Sequence, residues 1–305
     1  MRPLALYTTI YPGCKPFLSD WFASVRRQTD QDFQLWIGLD GMEIKEAVEA
    51  MGGDPGANWL ASGERTTPAQ VRQVALTQVL SSCDEVVLVD SDDVLHPTRV
   101  ASARGSLTAG ELGGCALRLV GEDGLPMGPV LRPPSGVAPD ELLPRNNVFG
   151  LSNTAWRAGL LRRCLPISES VALVDWFLVT RAWLVGAQLA FDDEVGMDYR
   201  LHGANMVRVV PPFDAAQITR ETGFLRLHFR LTLASPPEGA DRGRLADLAR
   251  VAADVDRFHH EVVADPERLE RYAEALNALG TVPIWGVSVA NPSLRHMWTS
   301  EEETA

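Results

Sequence analysis

Short apolar runs alternate with apolar stripes spaced three and four residues apart from the N-terminus to about residue 95. Leu4 to Ile10 reads as a first strand with Thr8 and Thr9 near its end. Pro12-Gly13 turns the chain, and Phe17, Trp21 and Val25 follow at helical spacing. A second strand, Phe33–Leu39, closes on Asp40-Gly41, followed by a helix over Ile44–Met51 and a weak strand at Asn58–Ala61. Thr66 or Thr67 caps the next helix, with Pro68 in its first turn. Val71, Val74, Ala75 and Val79 form that helix's apolar stripe. Val86-Val87-Leu88-Val89 then runs into Asp90-Ser91-Asp92-Asp93. Such a run, bounded by turn-forming residues, predicts a central strand buried on both faces.

This alternation predicts an α/β fold with a mostly parallel, Rossmann-like central sheet flanked by helices. Past Pro97 the pattern predicts a helix, a strand at Cys115–Val120, a turn at Gly121-Glu122-Asp123-Gly124 and a short strand at Pro129–Leu131. The proline-rich segment Arg132–Pro144 reads as a mobile loop. A strand near Val148–Ser152, helices near Thr154–Arg163 and Val174–Val185, and a strand near Val195–Leu201 follow. Beyond Pro211-Pro212 the pattern is helical, with Leu245, Leu248, Val251, Val255 and Phe258 in clean register. Asp265-Pro266-Glu267 starts a last helix and Gly280 stops it, with a frayed tail from Trp298 to Ala305. The expected division is a main domain over residues 1–210 and a helical C-terminal extension over 211–305.

Composition changes this picture little. A chain of 305 residues that is 46% hydrophobic and 22% charged can bury a large core. Its net charge of −12 argues against attraction to nucleic acid or anionic lipid. No apolar run approaches a membrane span, and the N-terminal run is too short for a secretory signal. Cys14, Cys83, Cys115 and Cys164 form no C-x-x-C pair and read as buried free thiols of a cytoplasmic protein.

The chemistry concentrates at strand ends. Open α/β sheets bind ligands beyond the C-terminal tips of their strands, where Asp90, Ser91, Asp92 and Asp93 would stand. Carboxylates that close repel one another unless a cation relieves them, and a hard divalent metal completed by substrate phosphates does so. The same residues also suit a solvated turn and helix start. Asp40 can accept from a nucleobase or ribose, or simply form a turn with Gly41. Arg72 either pairs with a diphosphate or lies solvated on its helix. Asp175 sits in the apolar run Val171–Val179, where burial would raise its pKa and make it a better base, although Asp is also a favoured helix cap. In Tyr199-Arg200-Leu201-His202, the His suits a metal or phosphate and the Arg a negative charge. His259-His260 receives no function.

Taken in order, these pieces resemble the family 2 glycosyltransferases with the nucleotide-sugar-binding A-type fold. Thr8, Thr9 and Tyr11 are similar to that family's opening strand, and Ser24-Val25-Arg26-Arg27-Gln28-Thr29 to its S-x-x-x-Q-T segment. Leu39-Asp40-Gly41 resembles its D-D-G strand end, Val71-Arg72-Gln73 its Ala-Arg-Asn, and Asp90-Ser91-Asp92-Asp93 its D-x-D element. Val174-Asp175-Trp176 resembles E-D-W, and Tyr199-Arg200-Leu201-His202 resembles Y-R-x-H. One acid replaces two at Asp40, Gln73 replaces Asn, and Val174 replaces an acid. The resemblance implies a metal-dependent inverting transfer from a nucleotide-diphosphate sugar, most often a UDP-sugar, to a saccharide or other hydroxyl acceptor. Thr8, Tyr11, Asp40, Arg72, Asp90 and Ser91 would bind the donor nucleotide. Asp90, Asp92 and His202 would hold Mn²⁺ or Mg²⁺, Asp175 would be the base, and Trp176 and Arg200 would lie on the acceptor side. The helical extension would shape the acceptor side and offer a homo-oligomer interface.

Two rivals are open at this point. Asp90-x-Asp92 also resembles the nucleophile motif of haloacid-dehalogenase-type phosphatases, with Asp90 attacking phosphorus. The other is a nucleotide-sugar-binding relative without turnover.

Overall fold

A computed structural model describes residues 3–61, 67–203 and 205–299. Among these residues nine strands form one sheet: β1 (Leu4–Ile10), β2 (Phe33–Leu39), β3 (Asn58–Ala61), β4 (Glu85–Leu88), β5 (Val94–Leu95), β6 (Leu112–Val120), β7 (Pro126–Leu131), β8 (Thr154–Arg157) and β9 (Leu189–Arg200). Ten α-helices accompany them: α1 (Leu18–Arg26), α2 (Ile44–Met51), α3 (Pro68–Ser82), α4 (Arg99–Ala109), α5 (Pro139–Leu142), α6 (Ala158–Cys164), α7 (Val174–Leu184), α8 (Ala215–Ala234), α9 (Arg242–Phe258) and α10 (Pro266–Ala278).

The strand order is β3-β2-β1-β4-β8-β6-β9-β5, with β7 also paired to β6. The half formed by β3, β2, β1 and β4 is parallel throughout. That half is the one whose strands alternate with helices in the sequence, as connections between parallel strands require. Every residue of β1 is buried, as is fitting for a central strand covered on both faces. Beyond β4 the sheet becomes mixed. β8 enters antiparallel between β4 and β6, whereas β6 and β9 run parallel.

Two sequence expectations change here. Val148–Ser152 forms no strand, and the segment expected to be helical from Thr154 splits into β8 and then α6. Thr154, Ala155 and Trp156 are buried between two neighbouring strands, and pairing on both sides outweighs local helical spacing. The proline-rich segment carries one helical turn, α5, with Leu143 buried behind it.

Helix starts follow their caps. Thr67 accepts from the Gln70 amide while the Gln70 side chain returns to the Thr67 N–H, a reciprocal box. The alternative cap, Thr66, lies outside the described residues. Asp214, Asp241 and Asp265 cap α8, α9 and α10. The helical extension shares one continuous hydrophobic core with the sheet layer. Trp298, expected in a frayed tail, is buried with its ring 5.4 Å from Phe258. The four cysteines are buried, and none is in a disulfide. No helix among the described residues is long and apolar enough to cross a membrane.

Candidate functional site

A cleft of about 580 Å³ opens over the C-terminal ends of the parallel strands. Tyr11 follows β1, Asp40 follows β2, and Asp90, Ser91 and Asp92 follow β4, so all five line it. Backbone pairing continues past the strand ends, with Asp40 N donating to Ile10 O at 2.9 Å and Val89 N to Tyr7 O at 3.0 Å. Ser91 Oγ donates to Thr9 O at 2.9 Å and ties the acidic turn to β1.

The three acids of that turn have separate surroundings. Asp92 Oδ2 lies 3.1 Å from His202 Nε2 and accepts from the Tyr11 hydroxyl at 3.4 Å. Asp90 is held through its backbone N–H by Ser152 Oγ, and its carboxylate makes no hydrogen bond among the described residues. Burial pushes the Asp90 pKa up, the charges of Asp92 and Asp175 push it further, and Arg72 opposes them. Asp93 is buried away from the cleft, where it accepts from Ser152 Oγ and from the backbone N–H of Arg200 at 2.7 Å. It joins the end of β4 to the end of β9.

Asp175 stands in the first turn of α7 without acting as its cap. Its neighbours Val174 and Trp176 are buried, while Asp175 keeps part of its surface open on the cleft. Burial raises its pKa, and the Trp176 backbone N–H and the Arg72 charge hold the rise back. Arg72 therefore acts on Asp90 and Asp175 alike, from the second turn of α3. The same helix fixes the loop before α7. Gln73 Oε1 accepts from Ile167 N at 2.6 Å, and Gln70 Nε2 donates to Glu169 Oε2 at 2.9 Å. The departure at Gln73 thus has a local use, docking the segment that delivers Asp175.

Two expected site residues lie elsewhere. Thr8 is fully buried and does not line the cleft; strand alternation gives that place to Thr9. Arg200, expected on the acceptor side, is buried and fully engaged. It donates to Asp92 O at 2.9 Å, to Glu122 O at 2.7 Å and to Asp20 Oδ2 at 3.4 Å, over the Phe17 ring at 4.8 Å. Arg200→Met should cost about 3 kcal/mol of folding stability in urea titration, because a buried guanidinium gives up its hydrogen bonds to the Asp92 and Glu122 carbonyls. Trp176 lines the cleft.

Sequence reasoning missed Ser152, Glu169, Asn205 and Trp285, all of which line the cleft. Trp285 arrives from the C-terminal segment through paired backbone bonds with Asn147, each 3.1 Å. Among the described residues, no three of His, Cys, Asp and Glu form a ready-made metal cage.

No family model matches the sequence, and no curated protein matches it. Solved structures do match. The mannosyltransferase PcManGT from Pyrobaculum calidifontis, in complex with GDP-Man and Mn²⁺, matches at 17% identity and a TM-score of 0.58, over 97% of this chain and 79% of that one. S. aureus TarS 1–349 in complex with UDP matches at 14% identity and a TM-score of 0.52, over 84% of this chain and 71% of that one. A mycobacterial protein matches at 16% identity and a TM-score of 0.52, over 75% and 74%. Strand order, cleft position and these likenesses agree: the chain has the A-type glycosyltransferase fold.

Proposed function

We propose that this protein moves a sugar from a nucleotide-diphosphate donor to an acceptor hydroxyl with inversion at the anomeric carbon, assisted by a divalent cation. The observation that carries the reading is the arrival of Asp40, Asp90, Asp92 and Asp175, from three separate stretches of chain, at one cleft together with Arg72 and His202. Asp40 and Tyr11 receive the nucleoside, and Arg72 faces the diphosphate with its fork of donors. Asp175 accepts the acceptor's hydroxyl proton. The freed oxygen bonds to the anomeric carbon as the bond to the diphosphate breaks, and that electron pair leaves with the diphosphate. A base whose pKa burial has raised takes that proton more readily than a surface carboxylate does.

The donor set fits a hard divalent ion. Asp92 and His202 already touch, the Asp90 carboxylate has no hydrogen-bond partner among the described residues, and substrate phosphates usually complete such a shell. Asp90, Asp92 and His202 would hold Mn²⁺ or Mg²⁺, which as a Lewis acid would stabilise charge on the departing diphosphate. A UDP-sugar is the proposed donor; TarS was solved with UDP and PcManGT with GDP-Man and Mn²⁺. The buried thiols suit a reducing cytoplasm. Because the two acids stand after the fourth strand of an A-type sheet, the phosphatase reading has no matching fold to support it.

Thermal-shift screening with nucleoside diphosphates, with and without Mn²⁺, tests this. One diphosphate should stabilise the protein in a metal-dependent way, by about 2.7 kcal/mol at a hundredfold excess over Kd. No stabilisation by any diphosphate in either condition overturns the reading.

A further inference from the structure

One buried carboxylate, Glu221, stands outside the reacting groups. It lies in the second turn of α8, only 1% exposed, and three donors converge on it. Oε1 accepts from the Arg208 backbone N–H at 2.7 Å and from Gln217 Nε2 at 2.6 Å, while Oε2 accepts from the Ser288 hydroxyl. Burial raises its pKa, and the bonds from Ser288, Arg208 and Gln217 hold the rise back.

Two of those donors belong to segments that line the cleft. The first follows β9, brings His202, Asn205, Met206 and Val207 to the cleft, and ends at Arg208. Its near end is tied to β9: Asn205 Oδ1 accepts from the His202 N–H, and the Asn205 amide donates to Arg200 O at 3.2 Å. Its far end rests on Glu221. Among the described residues, the backbone of Met206, Val207 and Arg208 makes no other hydrogen bond. The second segment carries Trp285 and then Ser288, which is fully buried. Trp285 meets Tyr199 edge-on at 5.7 Å, and a Cβ at Gly150 would stand 2.7 Å from its ring. An apolar side chain in place of Glu221 would leave the Ser288 hydroxyl buried without a partner and release the Arg208 N–H, so the two segments would part.

We infer that Glu221 is a positioning residue for donor binding: one carboxylate clamps the segment that begins at His202 and the segment that bears Trp285, and so presets the cleft before the nucleotide arrives. This rests on the transfer reading above and adds to it a residue remote from the reacting atoms. A segment left loose must be ordered when the ligand binds, and that ordering lowers affinity. The test compares Glu221→Leu with Glu221→Gln. Leucine accepts nothing. Glutamine keeps Oε1 for Arg208 and Gln217, and its amide can donate to Ser288 Oγ, since a hydroxyl accepts as well as donates. Hydrogen exchange over residues 205–209 and 285–291 reads the clamp. Calorimetric titration with UDP (GDP where UDP does not bind) in the presence of Mn²⁺, well below the melting temperature, reads its consequence. In Glu221→Leu both segments should exchange about tenfold faster and the Kd should rise about fivefold or more, whereas Glu221→Gln should stay within about twofold on both counts. Leu107→Ala, a core cavity in α4, should lower stability and leave the Kd unchanged. Should Glu221→Leu not fold, Ser288→Ala cuts the C-terminal link alone and should speed exchange over 285–291 and raise the Kd about twofold or more. Unchanged exchange overturns the clamp. Faster exchange with an unchanged Kd overturns the positioning role and leaves Glu221 a structural residue. Failure of the unmodified protein to bind any nucleoside diphosphate overturns the transfer reading, and the donor role of Glu221 with it, while the exchange result still decides the clamp.

Discussion

Asp175→Asn should lower glycosyl transfer by about 10²–10⁴-fold, the range that a positioned general base contributes. The substitution keeps the shape of the side chain in the first turn of α7 and removes only its capacity to take a proton. Asp90, Asp92, Arg72 and His202 stay where they are, so donor binding should survive. The split is measured by kcat at saturating donor against the thermal shift produced by UDP with Mn²⁺. Because burial raises the Asp175 pKa, protonation of the base should cut activity at a pH above the ordinary carboxylate range. That acid limb should be absent from the residual activity of the variant. Unchanged kcat in Asp175→Asn removes the assigned base, and loss of donor binding together with kcat would show that the side chain is needed for architecture instead.

Why these residues meet is a matter of topology as much as of sequence. The parallel half of the sheet was legible because each strand and each helix there satisfies its own periodicity, and the acids fall directly after strands. The antiparallel insertion was not. Thr154-Ala155-Trp156-Arg157 has no alternation of its own, and only its two flanking strands decide that it is extended. One residue of register separates Thr8 from Thr9, and only the twist and pairing of β1 with β2 and β4 settles which side chain looks into the cleft.

The acidic turn shows a different boundary to sequence reading. Asp90, Asp92 and Asp93 are chemically alike and adjacent, yet one turns to the cleft a carboxylate that has no hydrogen bond among the described residues, one meets His202, and one is a buried strut to the Arg200 backbone. Those fates depend on Ser152 and on the end of β9, residues far along the chain. Trp285 lay beyond any local signal, since nothing near it in sequence marks a return to the cleft; its placement follows from the pairing with Asn147.

The Arg200 and His202 pair makes the same point within three residues. A strand's alternation sends residues i and i+2 to one side, yet the strand ends at Arg200 and the chain turns, so the two side chains part. Arg200 sinks beneath the acidic turn and supports it, whereas His202 reaches Asp92. The arginine thus serves the site from below, as a positioning residue, by fixing the backbone on which Asp92 rides.

Acidification should destabilise the protein through His228, a residue on α8 that no motif marks. Its ring is buried behind the cleft wall, 5.7 Å from the Trp176 ring, with Nε2 at 3.2 Å from the Thr180 hydroxyl and Nδ1 without a partner among the described residues. Burial alone lowers its pKa from 6.5 to about 3, with no charged neighbour contributing. Between those two values the unfolded chain holds a proton that the folded one refuses, so stability is complete above pH 6.5 and is lost as pH falls. At 1.36 kcal/mol per pH unit the loss reaches about 2 kcal/mol by pH 5 and on the order of 5 kcal/mol near pH 3. His228→Gln keeps a polar partner for Thr180 and cannot titrate. Urea unfolding of both proteins from pH 7 to 4.5 should therefore give curves that converge as pH falls, the unmodified protein losing stability faster. Parallel curves would mean that His228 is protonated in the native fold, and that the wall of the cleft behind Trp176 opens to water.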